Sequence, residues 1–340
     1  MAKDILVTGG LGFIGSHTVV ELFAKGYNPI VVDNLSNSSV NVLKGIESIC
    51  KKSPIFYSID VNDKSALDMI FQQHSIDMVV HFAAYKAVGE SVQKPLLYYR
   101  NNVGGLLTLM EVMQKNHCSK IVFSSSCTVY GQPEHLPVAE NAPVAIPTSP
   151  YGNTKKICEE ILRDSISEFQ TVSLRYFNPI GAHPSAEIGE LPLGVPNNLV
   201  PFITQTAIGI RKELSIFGDD YNTPDGTCIR DYLHVCDLAD AHILALERLL
   251  NPAFGSNEGN FEVYNLGTGT GYSVKEMVET FQQVSGVKLN HVYAKRREGD
   301  VEQVWANPSK ASQVLHWQAK RDLTEMLDSA WKWQLKLSRQ

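Results

Sequence analysis

No stretch of the 340 residues approaches the roughly 18 consecutive apolar residues of a membrane-crossing helix. Nor do the six cysteines (Cys50, Cys118, Cys127, Cys158, Cys228, Cys236) form a C-x-x-C pair, so they read as reduced thiols, with no zinc or other metal site expected. Positive charge is not in excess: the formal net charge is -6, which argues against a non-specific nucleic-acid or anionic-membrane partner. A small anionic ligand remains compatible, because a few placed arginines reverse the local field. The apolar start Ile5-Leu6-Val7 is too short for a signal-peptide core, so a cytoplasmic location is expected. Internal repeats and low-complexity tracts are lacking too. With 44% apolar and 19% charged residues, the composition is that of an ordinary globular protein.

What is present is alternation. Ile5–Val7, Ile30–Val32, Ile55–Ser58, Met78–Phe82, Ile121–Phe123 and Val172–Arg175 are short apolar runs rich in β-branched residues, the pattern of buried strands. Amphipathic stretches separate them. Ile14–Lys25 is one; another, from about Pro95 to Lys115, carries Val103, Leu106, Leu107, Met110 and Met113 on one stripe. This βαβ order predicts an α/β fold, a Rossmann-type doubly wound parallel sheet. After Asn178 the texture becomes loop-rich (Pro179, Gly181, Pro184, Gly189, Pro192, Gly194, Pro196), with helices expected over about Leu199–Arg211, Asp237–Leu250 and Val274–Ser285. The expected division is a nucleotide-binding domain over 1–178 and a smaller mixed α/β domain over 179–340. Segments near 229–267, with a strand at Val263–Leu266, are candidates to return to the first sheet.

The first strand runs into Gly9-Gly10-Leu11-Gly12-Phe13-Ile14-Gly15 and then a helix. Glycines at that turn allow backbone to approach a pyrophosphate, and the helix start offers free N–H groups to it. Asp33 ends the second strand 18 residues after Gly15, where a carboxylate receives ribose hydroxyls and repels a 2′-phosphate, favouring NAD over NADP. Asp60, at the end of the third strand, is a candidate for the adenine end. Tyr151 and Lys155 share a helix face after Pro150. A tyrosine base needs its phenolate stabilised, which a neighbouring ammonium and a cationic nicotinamide would do. Such a pair arises by chance about once in a chain of this composition. Its weight comes from following the glycine turn at the length of half a sheet, with Ser124-Ser125-Ser126 at a strand end between them, where open α/β sheets bind ligands.

Together the Thr8-Gly9…Gly12…Gly15 turn, Ser126 and Tyr151-x-x-x-Lys155 resemble the extended short-chain dehydrogenase/reductases. The runs from His81 to Ser91 (His81-Phe82-Ala83-Ala84-Tyr85-Lys86 at their start), Arg175-Tyr176-Phe177-Asn178-Pro179, Pro196-Asn197-Asn198-Leu199, Arg230-Asp231-Tyr232 and Arg297-Glu298-Gly299-Asp300 are similar to the UDP-hexose 4-epimerases within that family. The resemblance spans the chain to about Trp333.

It implies NAD contacts from Gly9, Gly12, Phe13, Ile14, Gly15, Asp33, Asn34, Leu35, Ser36, Asn37, Ser38, Asp60, Val61, Phe82, Ala83, Ala84, Tyr85, Lys86, Asn101, Ser126, Tyr151, Lys155 and Phe177. It implies UDP-sugar contacts from Asn178, Asn198, Leu199, Phe217, Arg230, Arg297, Asp300 and Val304. Tyr151, Lys155 and Ser126 would be catalytic, and a homodimer pairing through the helices near 95–115 and 151 is implied. The implied activity interconverts UDP-glucose and UDP-galactose through a transient 4-keto sugar. Val304, where glucose-restricted bacterial relatives have tyrosine, extends the expectation to UDP-N-acetylglucosamine and UDP-N-acetylgalactosamine, which could also be the main substrates. Dehydratases of the family carry Asp-Glu after the strand-end hydroxyl residue and decarboxylases a Glu at the second position. Cys127 and Thr128 stand there instead. A catalytically silent NAD-binding sensor is disfavoured by Ser126, Tyr151 and Lys155. Ala84-Tyr85 departs from the Gly-Leu common in bacterial relatives.

Overall fold

The computed structural model describes residues 2–144, 147–255, 259–297 and 300–339; Glu298 and Gly299 of the last motif lie outside these. Seven strands, β1 (Asp4–Thr8), β2 (Asn28–Val32), β3 (Ile55–Tyr57), β4 (Ile76–His81), β5 (Lys120–Ser124), β6 (Gln170–Tyr176) and β7 (Phe261–Leu266), make one sheet in the order β7-β6-β5-β4-β1-β2-β3. Every pairing in it is parallel. The β-branched runs are explained by this arrangement, because helices cover both faces and strands such as β1 bury every apolar side chain. On one face the helices Phe13–Ala24 and Val235–Leu250 pack Val19, Leu22, Leu238 and Leu246 against Ile5, Val7 and Val172. On the other, helices Lys64–Gln73, Gly104–Lys115 and Pro150–Asp164 contribute Leu67, Ile70, Leu109, Met113, Cys158 and Leu162.

Between β1 and β4 the strand order reverses, and the crevice beyond their C-terminal ends is the ligand position of doubly wound sheets. Thr8 and His81 close its floor with a buried Oγ1–Nδ1 hydrogen bond of 2.7 Å.

Strand β7 comes from the second half of the chain and joins the sheet beside β6. Three helices of the second half, Leu199–Ala207, Val274–Ser285 and Leu323–Leu337, surround a separate core of Ile203, Met277, Phe281, Met326 and Leu327. Reciprocal capping pairs, Ser273 with Glu276 and Asp322 with Glu325, start the last two of these.

Two expectations need correction. The helix placed over 199–211 stops at Ala207, and Gly209 follows it at φ +81. The single helix placed over 95–115 is instead a short turn Pro95–Tyr98, a π-helical turn Tyr99–Val103 and the helix Gly104–Lys115. Its buried face is centred on Leu106, Leu109, Met110 and Met113. Leu107, about 100° round from Leu106, is 43% exposed rather than part of the stripe.

Candidate active site

The glycine turn is as tight as the sequence implies. Gly9 has φ +71, and a Cβ there would lie 2.8 Å from the Ala83 backbone nitrogen; one on Gly15 would lie 2.3 Å from the Gly9 carbonyl oxygen. Gly12 then starts the Phe13–Ala24 helix with no side-chain cap and no acid in the first turn, so the N–H groups at this helix end are left for an anion. Asp33 is buried at the end of β2. Its Oδ2 accepts from the Leu11 N–H (3.0 Å), and its Oδ1 from the Leu35 N–H (2.9 Å) and the Ser38 hydroxyl (2.8 Å). The carboxylate is therefore fixed in place against the glycine turn, and Leu35 takes φ +59 to make the loop. Asp60 accepts from Asn34 Nδ2 and from the Asn62 N–H and Nδ2, each at 2.8 Å. Burial pushes its pKa up, but these bonds prevail and hold it below the ordinary carboxylate value. Val61 is buried under Gly105, Phe82 rests 4.7 Å from His242, and Ile14 packs on the sheet core. Ser36, Asn37 and Ser38 follow Asn34 in the same loop, whose turn is made by the Ser36 N–H donating to Asn34 Oδ1.

Ser149, as N-cap, accepts from the Gly152 N–H (3.2 Å), and Pro150 occupies the first helical turn, which sets Tyr151 near the start of the Pro150–Asp164 helix. β5 itself ends at Ser124. Ser126 stands two residues beyond, capping the 3₁₀ turn Cys127–Tyr130 and accepting from the Thr128 N–H (3.2 Å) and hydroxyl (3.0 Å). Burial pushes the Tyr151 phenol up to about 12, while the Ser126 hydroxyl in contact with it pulls the other way. One level below, burial lowers Lys155 to about 8. Its ammonium donates to the Ser124 carbonyl (2.6 Å) and lies 4.9 Å over the Phe123 ring. The three residues therefore meet at the C-terminal edge of the sheet, but the ammonium is directed first at a backbone carbonyl.

A second cluster gathers around Arg230, which lies within electrostatic reach of Cys127, the residue after Ser126. Arg297 forms a two-bond pair with Asp300 (2.7 and 3.1 Å), Arg230 reaches the same carboxylate at 3.9 Å, and the Arg297 guanidinium sits 5.9 Å over the exposed ring of Phe217. A ladder of two-residue strands pairs Val304 with Arg230, and Val304 is buried with Phe177, Val129 and Tyr130. Asn178 donates through its amide to the Asp231 carbonyl (3.3 Å). Asp231, fully buried, binds the N–H groups of Thr268, Gly269 and Ala306 and the Thr268 hydroxyl, which fixes the strand carrying Arg230. Asn198 and Leu199 begin the Leu199–Ala207 helix. Groups outside the sequence reading support these residues. Asn102, 3% exposed on the π-helical turn beside Asn101, binds the Tyr85 N–H (2.9 Å), the Tyr85 carbonyl (3.0 Å) and the Thr154 hydroxyl (3.0 Å). Thus it ties the Ala83-Ala84-Tyr85-Lys86 segment to the Tyr151 helix. The Asn101-Asn102 doublet was the available signal, but nothing in its spacing says which amide turns inward.

Comparison with known proteins shows the family. The chain is 52% identical over 333 residues to the UDP-glucose 4-epimerase of Bacillus subtilis (strain 168), covering 97% of this chain and 96% of that one. The chain belongs to the UDP-glucose 4-epimerase family. A broader family model, described as GDP-mannose 4,6 dehydratase, matches residues 6–330. The UDP-glucose 4-epimerase of Stenotrophomonas maltophila, solved with NAD and formylated UDP-arabinopyranose, superposes with TM-score 0.94 at 44% identity, over 99% of both chains. That of Bifidobacterium longum, in complex with NAD+ and UDP, gives 0.93 at 44% identity over 98% of both. Epimerase membership also accounts for Cys127-Thr128 following Ser126, since this reaction needs no elimination acid–base pair there.

Proposed function

We propose that the chain inverts C4 of UDP-hexoses, interconverting UDP-glucose and UDP-galactose through a transient 4-keto sugar, with NAD held throughout. The observation that carries this is the meeting of Ser126, Tyr151 and Lys155 beyond the C-terminal end of β5, in a sheet whose β1 runs into the Gly9–Gly15 cradle, with Cys127 beside Ser126 within electrostatic reach of Arg230. The residues present fit a dinucleotide. The cradle leaves no room for side chains where a pyrophosphate backbone approach is needed, the helix end is uncapped, and Asp33 is braced to meet a ribose. NAD would be held by that cradle, by the Asp33–Ser38 loop, by Asp60 and Val61 at the adenine end, and by Phe82–Lys86, Asn101 and Phe177 near the nicotinamide. When bound it supplies a reversible two-electron acceptor for C4.

Everything else is done by the chain. Tyr151 takes the proton of the sugar 4-hydroxyl as C4 gives up its hydride, and returns the proton to that oxygen once hydride has come back to the opposite face of C4, with Ser126 sharing the hydrogen bond. Lys155, while protonated, stabilises the phenolate. Arg230 and Arg297 bind the pyrophosphate, Phe217 stacks on the uracil, Asp300 takes ribose hydroxyls, and Asn178 and Asn198 donate amides. A firm grip on UDP with a loosely held sugar lets the 4-keto ring turn over between the two half-reactions.

A wider substrate range is part of the proposal. Valine at position 304, buried against Phe177, Val129 and Tyr130, lacks the ring that tyrosine would place there, and the volume of that ring is of the order of an acetamido group on C2. The division into a 1–178 NAD domain and a 179–340 UDP-sugar domain belongs to the same reading. So do a cytoplasmic location and a homodimer. Val92 (61% exposed), Leu96 (80%) and Leu107 form an apolar surface on the helices near 88–115 that a second copy would cover, and sedimentation at several concentrations tests the pairing. The decisive experiment incubates the protein with UDP-galactose and, separately, with UDP-N-acetylgalactosamine, without added NAD, and separates the products by chromatography. No epimer from either substrate would leave a silent NAD-binding protein as the better description.

A further inference from the structure

Glu190 stands between the two halves of the site and touches both. Its Oε1 accepts from Lys86 Nζ (3.2 Å), on the segment after β4, and from Asn198 Nδ2 (2.5 Å), at the start of the Leu199–Ala207 helix. The Glu190 carboxylate is only 12% exposed. Its backbone is held too: the Glu190 carbonyl accepts from Trp333 Nε1 (2.8 Å), and neighbouring Gly189 lies so close to that indole that a Cβ would fall 2.5 Å from Trp333 Cδ1. The backbone that carries the acceptor is therefore anchored against Trp333.

The behaviour of Asn198 is informative. Asparagine at an N-cap ordinarily accepts from the first-turn N–H groups of its helix. Here its side chain makes no such bond and is turned to Glu190 instead. Two donors from opposite sides of the crevice thus share one oxygen.

We propose that Glu190 is a positioning residue that couples nucleotide binding at Asn198 to retention of NAD through Lys86. The inference rests on the assignment of Asn198 to UDP and of Lys86 to NAD made above. A nucleotide that accepts the Asn198 amide removes one of the two donors from Oε1. Glu190 then pairs with Lys86 alone and holds the Phe82–Lys86 segment more firmly against the cofactor. Occupancy of the UDP end consequently slows loss of NAD, and the same coupling makes NAD favour UDP binding.

The test measures release of NAD from the purified holoenzyme with and without saturating UDP, in wild type, Glu190→Gln and Lys86→Met. UDP slows release from wild type by roughly fivefold or more, a coupling of ordinary size. In both variants the ratio of the two rates shrinks at least threefold, and the double variant shows no further reduction. A merely structural Glu190 would change both rates together and leave their ratio intact, and that outcome overturns the proposal. Lys86 is half exposed, so Lys86→Met decides the matter if Glu190→Gln fails to fold. Wild-type protein that holds no NAD, or does not bind UDP, would instead overturn the functional assignment itself.

Discussion

Behind Ser125, one residue past the end of β5, lies a buried ion pair whose removal should be costly. Glu159 and Arg175 have side chains 3% and 2% exposed. Glu159 Oε1 accepts from the Ser125 hydroxyl (2.6 Å), the Ser173 hydroxyl (2.9 Å) and Arg175 Nε (2.9 Å), while Oε2 accepts from Arg175 Nε (3.2 Å) and Nη2. Arg175 Nη1 continues to the Tyr130 hydroxyl (2.9 Å), which donates to Asn265 Oδ1 (2.7 Å). Glu159→Ala leaves the guanidinium buried with the Tyr130 hydroxyl as its remaining hydrogen-bond partner among the described residues, and orphans two hydroxyls that can turn elsewhere. Breaking a buried pair from one side costs about 3–5 kcal/mol, a large part of the roughly 5–15 kcal/mol that holds a domain folded. Glu159→Gln keeps an acceptor and loses the charge, and should cost about 1.5–3 kcal/mol. Replacing both partners, as Glu159→Leu with Arg175→Met, removes the orphaned charge and should recover most of the loss. Urea unfolding followed by tryptophan fluorescence, at neutral pH and fixed protein concentration, measures all three. Turnover should fall in Glu159→Gln as well, because Ser125 adjoins Ser126. A loss below about 1 kcal/mol in Glu159→Ala, or a double variant no better than the single one, would refute the reasoning.

Tyr151→Phe removes one oxygen and should lower turnover roughly 10²–10⁴-fold while UDP binding, read by calorimetry, is unchanged; near-normal turnover excludes the base. Lys155 is lowered to about 8 by burial, so in protein stripped of dinucleotide its contribution to stability is present above the unfolded value of 10.5 and lost as pH falls through 8. Wild type should therefore gain about 3 kcal/mol between those limits relative to Lys155→Met, and parallel stability–pH curves for the two would contradict this. Turnover, which needs the ammonium, should decline on the alkaline side as Lys155 loses its proton. Val304→Tyr should remove turnover of the N-acetylated pair and spare UDP-galactose, overpacking costing about 1–3 kcal/mol; equal losses on both would mean Val304 is not the gate.

Periodicity and glycine placement carried the sheet. β1, β2, β4, β5 and β6 follow from short β-branched runs that the sheet buries on both faces, the edge strand β3 leaves Ile55 exposed, and the Gly9–Gly15 turn with Asp33 follows from chain geometry local to one βαβ unit. Tyr151 and Lys155 share a helix face by spacing alone. What lies beyond the sequence depends on contacts between distant segments. The inward turn of Asn102, the Glu159–Arg175 pair beneath the serines, the Asp231 staple and the Glu190 bridge each join residues from separate elements, so no local pattern announces them. The break in the helix over 95–115 belongs with these, since the π-helical turn Tyr99–Val103 buries the polar Asn102, whose partners Tyr85 and Thr154 lie on other segments. Even for Lys155 the sequence determined only the helix face. Burial and the Ser124 carbonyl, supplied by tertiary packing, decided where the ammonium points and how far its proton is loosened.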